Sequence, residues 1–504
     1  MRDDDQMRVH RRQFVIGPTP VLVDEDWTSV AIREGLYLSY HQALPVAETR
    51  DRDGGVWYLL GIAMQTDPAR AAPPEEIAAV RSGEVDALPF TWSGRWALVG
   101  GGVLRTDAAL FGCFYARNSR DGKLLVSSSA ALLHDLLGEG DPSPPLRYRV
   151  GMEWFPLPLS RFAGIRSLLP SQALAYGDER QPLRHRPLLE HRVKTAYDET
   201  LALIETSLRT AVRNLAGTGR PLWLSLTGGY DTRALLAAMW REKLDFTTFT
   251  WDIPAMSRAD RTLPPLLARD AGVPHRIIKR RDFNEDHLRA FDQHTGLQTA
   301  DLDRELIPWG QYAQLPGNAI VLLGNIFSLG ALYFYTKLPA HPDSVAESVE
   351  HAYGFAKHHQ DSPAHLRGIR EWADWIDAHP EPAMDWRDRF FWEQWKGGWC
   401  AACEQGADLV ETELFSPANC ASVMAAMLRI NPAKRYGKRW QVDLTYRMAP
   451  FLTDHPYHLG GPLVARLRRG ASGWVHHPSK RRFASGRMRT LAARTRGAQA
   501  GSAG

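Results

Sequence analysis

The stretch LWLSLTGGYDTRALLAAM, residues 222–239, constrains the fold more tightly than any other part of the chain. A near-continuous apolar run of strand length meets two glycines, and from Tyr230 the apolar residues recur at helical spacing. A strand that feeds a helix this abruptly belongs to a crossover unit, and the flanking sequence repeats the pattern. TAYDETLALIETSLRTAVRNLAG carries Leu201, Ile204, Leu208, Ala211, Val212 and Leu215 on one helical face, and Gly217 closes it. FTTFTWDI, VPHRIIK and NAIVLLG read as further strands, and ADRTLPPLLARDAG as a helix with prolines early in it. Strands alternating with helices at this spacing predict a parallel sheet with right-handed crossovers.

In such a sheet, ligands collect at the carboxyl ends of the strands, where loops lead into helix N-termini. Ser225, Thr227, Gly228, Gly229, Asp231 and Thr232 fall at that end of one strand. Glycines let backbone N–H groups surround a phosphate while the helix dipole attracts its charge. Asp231 would repel phosphate directly, so its ligand chemistry is that of a Mg²⁺ ion bridging to phosphates. The loop has neither the GxxxxGK[ST] lysine nor the GxGxxG spacing. The bland reading is a Gly-Gly turn whose Asp caps a helix.

Residues 1 to about 135 have a different rhythm. QFVIG, WTSVAI, LYLSYH, VWYLLGIAM, RWALVGGG, ALFGCFYAR and LLVSSS are short β-rich runs, and only PPEEIAAVRSG and SAALLHDLLGEG look helical. This predicts a β-rich α+β region, with a boundary near residue 190, before an α/β domain over 191–504.

SLTGGYDTR resembles the SGGxDS pyrophosphate loop of the ATP-pyrophosphatase (PP-loop) family, in the form used by asparagine synthetases, β-lactam synthetases and lasso-peptide cyclases. LLVSSSAALL and RFAGIRSLLP are similar to the end of the family's glutamine-amidotransferase-like domain and its junction, and KRRFASG (480–486) to its K-x-x-F-x-x-G stretch. The resemblance implies a degenerate amidotransferase-like domain over 1–190 and an ATP-dependent, AMP- and pyrophosphate-forming amide ligase that activates a carboxylate as an acyl-adenylate. It further implies that ATP and Mg²⁺ are used, that Asp231 holds the metal, and that Thr248, Thr250 and Gly324 flank the nucleotide. Lys480 would neutralise charge developing on the leaving pyrophosphate or on the tetrahedral intermediate. Small-molecule or peptide carboxylates and amines are the partners implied, as in natural-product or peptide modification, with homo-oligomerisation left open.

Two departures stand out. Residue 2 is Arg where the glutamine-using members have a cysteine nucleophile, and the first cysteine is Cys113, so glutaminase activity is expected to be absent. LLGNIFSLGALYFY takes the place of a second acidic loop and offers only Asn325 and Ser328 as polar side chains. Competing readings are a PP-loop sulfur transferase acting on tRNA and a non-catalytic scaffold.

Charge and composition bear on these classes. After Asp454 the chain holds ten Lys and Arg and no acid, so a net charge of +4 becomes −6 for the first 454 residues. That basic tail attracts a phosphate-rich partner or is simply solvated, and nucleic acid is the less favoured partner. The first residues lack a secretory apolar core, and four cysteines cannot make a disulfide framework, so the expectation is cytoplasmic. Leu306–Thr336 is uncharged, but its prolines and glycines divide it into strand, turn and helix rather than one membrane span. Cys400 and Cys403 form a CxxC without a second pair, which suits buried thiols better than zinc. Trp392, Trp395 and Trp399 share a helical face, as core residues or as the lining of an apolar pocket.

Overall fold

The computed structural model describes residues 9–146, 151–176, 182–189, 195–253, 256–300, 310–354 and 362–457. Its first part is built on two six-stranded antiparallel sheets. One contains β1 (Phe14–Gly17), β2 (Trp27–Arg33) and β3 (Leu36–His41), and the other contains β4 (Val46–Arg50), β5 (Val56–Gln65), β6 (Trp92–Gly100) and β7 (Val103–Thr106). β8 (Phe114–Arg117), β9 (Leu124–Ser127) and β10 (Arg166–Ser167) complete the first, in the order β10-β8-β9-β1-β3-β2. β11 (Gln172–Ala175) and β12 (Leu183–His185) complete the second, in the order β12-β11-β7-β6-β5-β4.

Alternate residues of both sheets, among them Phe14, Ile16, Leu38, Leu60, Val99, Leu104 and Val126, meet in one buried layer. Two helices take the outer faces. α1 (Pro73–Ala79) packs Ile77 against Trp57, Leu59 and Trp96, and α2 (Ala130–Leu137) packs against Phe114 and Leu125. Ser129 accepts the Leu132 N–H to start α2, and Gly138, left-handed at φ 63°, ends it.

The second part is α/β. β13 (Leu222–Ser225), β14 (Thr247–Asp252), β15 (His275–Lys279), β16 (Ile320–Leu322) and β17 (Glu413–Phe415) form one parallel sheet in the order β15-β14-β13-β16-β17. Leu222, Leu224, Ile320 and Leu322 share a buried cluster with α3 (Tyr197–Ala216), α4 (Tyr230–Arg241) and α5 (Arg258–Ala271). The alternate residues Trp223, Phe249 and Val321 form a smaller cluster. Burial on both faces explains why the central strands β13 and β16 read as near-continuous apolar runs, whereas the edge strand β15 is largely exposed.

α5 departs from its sequence reading in one respect: Pro264 and Pro265 lie well inside the helix. Ser257 caps it by accepting the Asp260 N–H, and Pro264 is buried against the sheet side, so packing and capping offset the backbone bonds the prolines remove. The uncharged run near 320 also differs, since β16 is followed by a single 3₁₀ stretch, Asn325–Gly330, and not by an α-helix. A side chain at Gly330 would collide with the Trp440 indole, and this close approach holds the tight turn. Among the described residues no helix is long and apolar enough to cross a membrane.

The two parts are knitted together by polar contacts. Arg12 donates to the carbonyls of Val410, Glu411 and Thr412, Arg95 pairs with Asp408 at 2.7 Å, and Asn419 donates to the Gly94 carbonyl at 2.6 Å. Trp392 and Trp395 of the π-helix Phe391–Cys400 are buried, and Trp395 packs against the rings of Trp154 and Phe334. Trp392 also donates its Nε1–H to the Ala108 carbonyl, so that part of the tryptophan stripe is core. Cys400 is buried and Cys403 half-buried.

Candidate functional site

In chain order the parallel sheet runs third, second, first, fourth, fifth, so its direction of growth reverses between β13 and β16. Loops leaving the carboxyl ends of two such strands turn to opposite sides, and a crevice opens where they part. Leu226–Gly229 follows β13 and Leu323–Gly324 follows β16, which puts Thr227, Gly228, Gly229, Asp231 and Gly324 together at this reversal.

The loop after β13 is internally bonded. The Thr232 hydroxyl accepts the Thr227 N–H at 3.1 Å and lies 3.1 Å from the Thr227 hydroxyl, which accepts the Gly229 N–H at 3.2 Å. Thr250 donates to the Leu226 carbonyl at 2.7 Å and so braces the loop from beneath. Ser225 is the half-buried last residue of β13. Thr248 lies apart from the crevice: it is near the start of β14, fully buried, and its hydroxyl is bonded to the Pro274 carbonyl at 2.8 Å.

Gly228 has a structural cause in addition to any ligand. A Cβ there would come within 3.1 Å of the Ala259 carbonyl oxygen, at the first turn of α5, and its N–H donates to the Asp260 carboxylate at 3.1 Å. Asp260 therefore joins Asp231 as a second acid beside the loop. Its sequence signal is a helix N-cap followed by an acid, which is too common to single out.

Asp231, in the first turn of α4, is held by two side chains from the 438–441 run. Gln441 donates to its Oδ1, and Lys438 Nζ lies 3.4 Å from the same oxygen. The second loop runs against its backbone. A Cβ on Gly324 would sit 3.0 Å from Asp231 Cβ and 3.1 Å from its carbonyl carbon, so Gly324→Ala should destabilise the fold by about 1–3 kcal/mol in a denaturant titration.

Arg233 is fully buried and ties this loop to the C-terminal segment. It donates to the carbonyls of Gly228, Leu452, His455 and Pro456 at 2.8–3.1 Å, and its guanidinium lies 3.8 Å from the centre of the Tyr457 ring. Burial lowers its pKa from the usual arginine value. Tyr457 in turn stacks on Tyr230, with centroids 4.3 Å apart. Lys480 and the K-x-x-F-x-x-G stretch lie outside the described residues.

Beneath the second loop lies an acid that its sequence lacks. Glu404 accepts the Asn325 side-chain N–H at 2.7 Å, and the buried Lys396 donates to the Asn325 carbonyl at 2.7 Å. Burial pushes the Glu404 carboxyl up to about 7, against the opposing pull of Arg95. The unfolded chain loses this proton near 4.5 and the folded chain near 7, so folding stability falls as pH rises between those values. Glu404→Gln should remove that slope and raise stability above pH 7 by roughly 3 kcal/mol, read from urea melts across the range.

Sequence reasoning missed Lys438, Gln441, Arg233, Lys396 and Glu404 as members of this neighbourhood. Lys438 and Gln441 sit in a basic, polar run, KRYGKRWQ, whose proximity to Asp231 exists only in the fold.

No family model matches the sequence, and no curated protein matches it. Solved structures do. NMN synthetase from Francisella tularensis is similar at 14% identity and a TM-score of 0.20, over 40% of this chain and 93% of that one. The NH3-dependent NAD synthetase from Campylobacter jejuni subsp. jejuni is similar at 12% identity and a TM-score of 0.19, over 38% and 90%. The glutamine-dependent NAD+ synthetase from Acinetobacter baumannii is similar at 12% identity and a TM-score of 0.17, over 52% and 55%. Likeness this slight assigns no activity to the chain.

Proposed function

We propose that the chain is an ATP-dependent amide ligase that forms AMP and pyrophosphate, activating a carboxylate as an acyl-adenylate for attack by an amine. The observation that carries this reading is the Thr-Gly-Gly loop, with Asp231 in the next helical turn, at the carboxyl edge where the parallel sheet reverses. Thr227, Thr232 and the first N–H groups of α4 would take the pyrophosphate moiety, where the helix dipole favours negative charge. Ser225, Gly228 and Gly229 would shape the same cradle, Gly324 would border it, and Thr250 would keep its floor fixed. Lys438 is placed to offset charge on the leaving pyrophosphate once Asp231 is otherwise engaged. Lys480 is proposed for the same task.

Mg²⁺ is compatible with the residues present. Such sites use one or two carboxylates and complete the shell with phosphate oxygens and water, and Asp231 and Asp260 would supply that share. The metal would neutralise phosphate charge during transfer. The amine would come from the substrate itself or from solution, in a cytoplasmic setting. Cys113 and Cys420 are buried and their thiols pushed up by that burial, so neither is a ready nucleophile. Purified protein given glutamine should release no glutamate in a coupled assay.

One observation favours a second reading, a nucleotide-binding protein without turnover. The Gly228 N–H and the Asp231 carboxylate are already paired within the chain, to Asp260 and to Lys438 and Gln441. Scoring AMP and pyrophosphate from ATP, Mg²⁺ and small-molecule extracts separates the two.

A further inference from the structure

A cavity of about 410 Å³ lies where the second β-sheet meets the helical part of the chain. None of its walls comes from the loops after β13 or β16, so it is distinct from the crevice. Arg105 and Arg186 both line it, with Asp86 and Asp107 as the only acids. Asp107 is spent on the backbone: its two oxygens accept N–H groups from Trp96, Ala109, Leu110 and Phe111. Asp86 is largely exposed and pairs with Arg105.

Arg186 is left with little. Among the described residues its guanidinium makes one long hydrogen bond, 3.4 Å, to the Thr106 carbonyl, and no carboxylate lies within ion-pair distance of it. Arg105 is 2% exposed and is already paired with Asp86, so the half-buried Arg186 is the lining cation with donors to spare among the described residues. A guanidinium with so few acceptors gains from an anion that takes its free N–H groups. Burial also lowers the pKa of both guanidiniums, and the Arg186 charge lowers that of Arg105 further. Apart from Thr106 and His185, the remaining wall is largely apolar and includes Phe90, Leu188 and Trp392.

We propose that this cavity is a second small-molecule site, which takes an organic carboxylate with an apolar body. The carboxylate sits on Arg186, and the body lies against Phe90, Leu188 and Trp392. A guanidinium fork matches a carboxylate bidentately, and a cavity of this size encloses a ligand of a few hundred daltons. The proposal is independent of the ATP reading.

Calorimetric titration of the full chain with indole-3-acetate, octanoate and the neutral indole-3-acetamide tests it. Binding of at least one carboxylate is expected, with the acetamide at least about tenfold weaker than indole-3-acetate. Arg186→Gln should weaken the carboxylates about tenfold and leave the acetamide unchanged, whereas Asp86→Asn, which removes a competing negative charge, should tighten them. The opposite signs separate charge recognition from general damage, and Asp86→Asn alone decides the matter if Arg186→Gln fails to fold. Equal binding of acetate and acetamide, no tightening in Asp86→Asn, or no binding of either carboxylate at about 10 mM would overturn the proposal.

Discussion

Asp231→Asn is expected to reduce pyrophosphate release from ATP at least about a hundredfold while shifting the melting temperature by only a few degrees. The isosteric amide keeps an oxygen for Gln441, whose side-chain N–H donates to Oδ1. It loses the charge that pairs with Lys438 at 3.4 Å, but that pair is partly exposed and contributes little to folding. What the variant removes is an anionic ligand in the first turn of α4, at the edge of the crevice. Stability and turnover should therefore separate cleanly, as measured by thermal unfolding and by a coupled pyrophosphate assay. Substantial unfolding would instead assign Asp231 a structural role as the anchor between α4, Lys438 and Gln441.

Arg233→Lys should cost stability severely, by roughly 3 kcal/mol or more. Four carbonyl oxygens from two distant segments converge on this one guanidinium, which is fully buried and covered by the Tyr457 ring. A lysine has three donors on a single point and no planar face, so it cannot serve Gly228, Leu452, His455 and Pro456 together. The Gly228 and Leu452 carbonyls left behind belong to buried residues and lose their donor without ready access to water. Denaturant unfolding of the variant, with limited proteolysis at the 452–457 segment, reads the effect, and a wild-type midpoint would show that the segment is held by other contacts.

The strand, loop and helix around residues 222–239 were legible because the local pattern and the tertiary role agree: an apolar run that needs burial on two faces, then glycines, then a 3.6-residue period. The parallel sheet follows from repetition of that unit. β4 and β7 escaped notice since VAETR and VLRT are short and carry charged residues, and their strand character comes from pairing with β5 and β6. Gly228 reads from sequence as room for a phosphate, yet the first turn of α5 also crowds it, with the Ala259 carbonyl oxygen 3.1 Å from where a Cβ would stand. Thr248 was read as a nucleotide neighbour because it lies in the right strand, but register places it at the buried end. Arg233 and Lys438 could not be found this way. Their partners lie some 200 residues off in sequence, and no local periodicity encodes a contact of that kind.

The measurement closest to the central claim is phosphorus NMR of the protein with ATP, Mg²⁺ and a small-molecule extract containing carboxylates and amines. Cleavage at the crevice between β13 and β16 should yield AMP and pyrophosphate in equal amounts, only when extract is present, and not with Asp231→Asn. Release of ADP and phosphate in their place, or equal activity in that variant, would contradict the assignment of the Thr-Gly-Gly loop as a pyrophosphate site.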